Sequence, residues 1–117
     1  DTIFVVQIML NAKRVGYIPQ PFFKRRMRDH STMTAGFSMR NIEGYTTVCT
    51  QIRSWAQQHP EWRSIIDLYL RKTLNSVIWL GHRMTLLEKI ETFCRFRRLH
   101  LSRYIGFKNR IVFWLKN

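Results

Sequence analysis

The sequence predicts a mainly α protein, a compact helical bundle. Three observations carry this. Apolar residues between Tyr45 and Phe96 recur three and four positions apart, the period of an α-helix with one face on a core. Pro60, Gly81 and the string Thr85-Leu86-Leu87-Glu88 stand where helices stop and start. Finally, 45% of the 117 residues are hydrophobic and 14% aromatic, enough for a core in a single domain spanning 1–117.

Each element follows in order. Thr2 to Val15 is apolar nearly throughout, with Ile3, Phe4, Val5, Val6, Ile8, Met9 and Leu10, and then Lys13, Arg14 and Gly16. The β-branched content suits a strand, but the length and the Gly16 stop predict a buried helix over 3–15. Pro19 and Pro21 break the chain, and Pro21 suits the first turn of a short helix over Phe22–Asp29. His30–Gly44, rich in Ser, Thr, Met and Gly, reads as a loop. Tyr45, Val48, Cys49, Ile52, Trp55 and Ala56 share one face of a helix over 46–58. Pro60 and Glu61 open the next, over 60–80, which Gly81 closes. The capping box at Thr85 opens a helix over 86–97, and two short helices follow to the C-terminus. The expected core holds Ile52, Trp55, Ile66, Leu70, Leu87, Ile90, Phe93 and Val112.

Charge sets the function class. Twenty Lys and Arg stand against seven Asp and Glu, for a net charge of +13. That self-repulsion opposes compaction, and a basic chain tolerates it when its partner is an anion. Fourteen of the cations are Arg, which grips phosphate with two N–H groups at once. From Thr92 to Asn117 there are seven cations and no Asp or Glu, interleaved with large apolar groups, so this segment can fold and still hold a positive field. A second cluster, Phe22-Phe23-Lys24-Arg25-Arg26-Met27-Arg28, sets aromatics beside cations. Its rings suit stacking on bases, a lipid interface, or the core with the cations as a solvated edge.

The segment Leu101–Leu115 resembles a helix-turn-helix. Leu101 and Ser102 fill the motif's opening apolar and small positions, Ile105-Gly106-Phe107 its turn, and Val112 and Leu115 its later apolar sites. Ser102 stands where Ala is more usual, and Phe113 and Trp114 are bulky for a helix that enters a groove. The resemblance implies a positive-φ turn at Gly106 and a recognition helix over Lys108–Lys116. Lys108, Asn109 and Arg110 would then face base edges, with Arg97, Arg98 and Arg103 on phosphates.

Catalysis finds little support. His30, His59, His82 and His100 have no metal-ligand spacing with one another or with Cys49 and Cys94, and there is no phosphate-cradling Gly-rich loop. Glu88 and Glu91, one turn apart beside Lys89 and Arg95, read as a salt-bridged edge. No catalytic residue, metal or cofactor is therefore expected. Both cysteines are expected as buried free thiols, which leans towards a reducing intracellular compartment. No apolar run reaches the length of a membrane span. The opening on Asp1 rather than Met is expected of a processed product or a fragment.

Together these features predict a small basic, non-enzymatic nucleic-acid-binding protein. DNA is favoured over RNA, and a DNA-binding transcription regulator is the concrete form. The sequence leaves two other readings open. One is a structural or accessory subunit of a ribonucleoprotein or of a viral or organellar assembly, pairing with a protein or with a second copy of itself. The other is a peripheral binder of anionic membranes.

Overall fold

The computed structural model describes residues 2–24 and 36–116. Among them the structure is mainly helical, with five α-helices, three single 3-10 turns and no strand. The chain divides into two units, Asp1–Gly36 and Phe37–Asn117.

The first unit holds α1, Thr2–Asn11. It ends before the predicted limit, and in its last turn the Asn11 side chain donates to the Gln7 carbonyl at 2.8 Å. From Ala12 to Lys24 the backbone has no helix or strand, so Phe22–Lys24 do not open the short helix predicted there. The remainder of that helix, with Arg25, Arg26 and Arg28, lies outside the described residues. No residue of α1 is buried, contrary to the expected buried helix. Phe4, Val5, Ile8 and Met9 are exposed.

The second unit is a bundle of α2 (Met39–Gln58), α3 (Arg63–Leu80), α4 (Leu86–Arg98) and α5 (Phe107–Leu115). α2 and α3 pack as a helical hairpin, α4 lies against α2, and α5 against α3. α2 begins seven residues before the predicted start, inside the expected loop. Ser38, with extended backbone, is its N-cap, and the Asn41 side-chain oxygen accepts from the Ser38 N–H at 2.9 Å and from its hydroxyl at 3.1 Å. An Asn three residues after the Ser does the work expected of Glu or Gln, and Gly44 inside the helix hid the pattern. His59 closes α2, and the 3-10 turn Pro60–Trp62 swings the chain into α3, with Trp55 and Trp62 stacked across the corner at 4.9 Å. Gly81 ends α3 as predicted, and its role is close approach. A Cβ there would meet Met84 Sδ and Phe113 Cε2, each at 3.2 Å.

The Thr85 capping box is present. Its hydroxyl accepts from the Glu88 N–H at 3.4 Å, and the Glu88 carboxylate accepts from the Thr85 N–H at 2.9 Å. α4 ends in a Schellman motif. Leu101 N–H donates to the Phe96 carbonyl at 2.8 Å, His100 N–H donates to Arg97 at 3.0 Å, and His100 carries φ 54°. Phe96 and Leu101, the positions such a motif brings together, are both fully buried.

Ile42, Cys49, Ile52, Ile66, Leu70, Leu74, Val77, Phe96, Leu101 and Phe113 form the core. Of the expected core, Ile52, Ile66 and Leu70 are buried, and Trp55, Phe93 and Val112 are half-buried. Leu87 and Ile90 are not: they are 79% and 45% exposed. α4 instead buries Lys89, Thr92 and Phe96. Both faces of this helix carry apolar residues, and the inward one is the face whose polar atoms find partners. Arg95 Nε donates to Thr46 Oγ1 at 2.9 Å, and Thr46 is itself buried and hydrogen-bonded to the Ile42 carbonyl. Lys89 Nζ lies 5.7 Å from the Phe113 ring centre and donates to the Lys116 carbonyl just past α5 at 3.2 Å, where a cation faces the negative end of the helix.

Candidate nucleic-acid interface

The C-terminal segment departs from the reading helix that the motif implies. Between α4 and α5 there is only the 3-10 turn Ser102–Tyr104, where a helix-turn-helix needs its first helix of several turns. Gly106 is the N-cap of α5, with φ −67° and ψ 148°, an extended backbone open to any residue, so the positive-φ turn is corrected. The first turn of α5 faces the bundle. Asn109 Nδ2 donates to Asn75 Oδ1 at 2.6 Å, and Arg110 donates to the Ser102 carbonyl. Both are half-buried and engaged, which corrects their assignment to base edges. Lys108 beside them is exposed.

Asn75 on α3 explains the inward turn. Its oxygen also accepts from Gly106 N–H at 2.9 Å, and its NH2 donates to the Tyr104 carbonyl at 2.9 Å and the Arg71 carbonyl at 2.7 Å. One amide thus serves the start of α5 and the preceding turn together.

The cations gather elsewhere. A groove of about 520 Å³ lies where α2, α3 and the chain after α4 meet, lined by Arg53, Arg63, Asp67, His100, Arg103 and Tyr104 together with Ala56, Gln57 and Ile66. Arg53 and Arg63 stand ten residues apart on either side of the Pro60 corner, and the hairpin folds them onto one groove. Arg53 Nη1 donates to the His100 carbonyl at 3.1 Å. Arg103 Nη2 donates to the Tyr104 hydroxyl at 2.6 Å, which donates to Asp67 Oδ1 at 3.2 Å. The Tyr104 hydroxyl holds the guanidinium pKa of Arg103 up. Asp67, the groove's single carboxylate, accepts from the Tyr104 hydroxyl, and its charge also favours the charged Arg103 guanidinium. A guanidinium has five N–H donors, so Arg53 and Arg103 keep donors for a ligand. Among the described residues His59 Nδ1 lies 3.3 Å from a Glu61 carboxylate oxygen, and no described Lys or Arg forms a salt bridge with a described carboxylate.

Of the sequence-derived candidates, Arg103 lines this groove. Arg97 and Arg98 are exposed on the last turn of α4, within three residues of His100, where cations also complement the helix dipole. Lys24 is exposed in the other unit, and Arg25, Arg26 and Arg28 lie outside the described residues. Arg53 and Arg63 were missed, since neither belongs to a charge cluster in the sequence. The available signal was their placement around the Pro60 corner. A second, wider concavity of about 730 Å³ runs along α3 beside α5 and holds Arg71 and Lys72, but Leu68, Trp79 and Leu80 make it more apolar.

Compared with protein-family models, curated proteins and solved structures, the chain matches none.

Proposed function

We propose that this is a non-enzymatic nucleic-acid-binding protein whose bundle grips the phosphate backbone without reading bases through α5. The observation that carries the reading is the groove that brings together Arg53, Arg63 and Arg103 around a single carboxylate, Asp67. Planar guanidinium donors suit phosphate oxygens, and bound phosphates release counterions into solution. Arg97 and Arg98 extend the same charge along the end of α4. The preference for DNA rested on the reading helix, and with Asn109 and Arg110 turned inward the reading covers DNA and RNA alike.

The test is a salt series of binding to duplex DNA and to structured RNA. Wild type should lose affinity with a log–log slope of about −0.9 per phosphate neutralised on duplex. Arg53→Gln, Arg63→Gln and Arg103→Gln together should flatten that slope by about three phosphates' worth. Asn109→Ala should leave sequence preference unchanged. A triple variant that keeps both the affinity and the slope of wild type would refute the reading.

A further inference from the structure

From the N-terminal unit we infer a second binding surface: residues 2–24 dock on an anionic lipid bilayer, with α1 set into one leaflet. Phe4, Val5, Ile8 and Met9 lie along one face of α1, each at least half exposed. Ile3, Val6 and Leu10 add apolar groups on the other sides, the polar positions are Thr2, Gln7 and Asn11, and none of the ten residues is buried. A helix that is apolar around most of its circumference, with only a narrow polar strip at Gln7 and Asn11, calls for surroundings that are mostly apolar, which acyl chains supply and a nucleic acid does not. Ten residues rise about 15 Å, half the ~30 Å hydrocarbon thickness of a bilayer. No described helix is long and apolar enough to cross a membrane, so α1 fits as an insertion into one leaflet.

The charge around α1 selects the lipid. Residues 2–24 contain Lys13, Arg14 and Lys24 and no acidic residue. Lys13 and Arg14 follow α1 directly, at the depth where long cationic side chains reach headgroup phosphates while their stems stay in the apolar layer. Tyr17, Ile18, Phe22 and Phe23 then follow, 87%, 62%, 66% and 92% exposed. Aromatic rings beside cations are the composition of a membrane–water interface. The aliphatic face and the cations thus complement two layers of the same partner, acyl chains and anionic headgroups.

The experiment is co-sedimentation of the full chain with vesicles of phosphatidylcholine alone and of phosphatidylcholine with phosphatidylserine at about 7:3, a cytoplasmic-leaflet-like charge. Wild type should prefer the anionic vesicles by at least about tenfold and keep part of that binding in high salt, because the apolar term is not screened. Val5→Gln with Ile8→Gln leaves the charge unchanged and should lower vesicle binding by about tenfold or more. Lys13→Gln with Arg14→Gln should lower it by about fivefold per charge on anionic vesicles only. Tryptophan fluorescence during urea unfolding reports on the bundle, because all four Trp lie in residues 37–117, and it should be unchanged in both variants. Nucleic-acid affinity of Val5→Gln/Ile8→Gln should equal that of wild type, which separates this surface from the arginine groove. Wild type that ignores vesicles overturns the inference. So does a Val5→Gln/Ile8→Gln variant that binds vesicles as tightly as wild type, since the bundle's cations would then account for the adsorption.

Discussion

Asn109 on α5 donates its side-chain NH2 to the Asn75 carbonyl oxygen on α3 at 2.6 Å, so the residue best placed in sequence to read adenine is spent on holding α5 to the bundle. The same Asn75 oxygen takes the Gly106 N–H, and its nitrogen serves the Tyr104 and Arg71 carbonyls. Asn75→Ala should therefore destabilise the fold by about 1–3 kcal/mol, because it strips partners from two helix-end groups and from Asn109. Asn75→Asp should cost at least as much despite its equal size, since it points a carboxylate oxygen at two carbonyls. Urea unfolding of both variants measures this, and an Asp variant as stable as wild type would show that the amide is not the tie.

His100 holds a left-handed backbone at the end of α4, a conformation that costs a non-glycine residue about 1 kcal/mol. His100→Gly should raise stability by about that amount. It keeps the backbone carbonyl that accepts from Arg53, so the groove should retain its shape. The converse case is Gly44, inside α2 with no atom within 4 Å of a Cβ built on it. Gly44→Ala should stabilise by about 0.4–1 kcal/mol through the unfolded chain and the helix propensity.

The two thiols differ, and the expectation that both are buried is half right. Cys49 has no exposed surface and burial pushes its thiol up to about 11, whereas Cys94 is exposed. Mild alkylation of the native chain near neutral pH should modify Cys94 alone, with Cys49 reacting only on unfolding, as mass spectrometry would reveal. The sign of the linkage follows from the raised pKa. The folded state keeps the Cys49 proton longer than the unfolded one, so this stabilisation is complete below the ordinary thiol pKa. It is lost as pH rises towards about 11. Cys49→Ala should remove that part of the alkaline loss.

Leu70 is fully buried and Leu87 is 79% exposed, although both looked equally interior in the sequence. Leu70→Ala should cost about 2–5 kcal/mol, and Leu87→Ala should stay within about 0.5 kcal/mol. Comparable losses at the two sites would mean that the outer face of α4 is covered in solution.

Local chemistry made the bundle legible. The α3 span, its Gly81 stop, the Thr85 capping box and the all-helical class follow from patterns within a few residues, because capping, propensity and periodicity act over one or two turns. The positive charge of the chain was also fully readable, since charge is additive along a sequence. Tertiary packing decided what required comparing distant residues. The inward face of α4 depended on Thr46 and on the Lys116 carbonyl as partners for Arg95 and Lys89, and those atoms lie 49 and 27 residues away. Asn75, 34 residues before Asn109, turned the first helical turn of the C-terminal motif inward. Arg53 and Arg63 became neighbours on a groove with Arg103 only when the Pro60 corner closed. Hydrophobic periodicity says that a helix has a face to bury, and only the partner's polar atoms, which burial leaves no water to satisfy, determine which face that is.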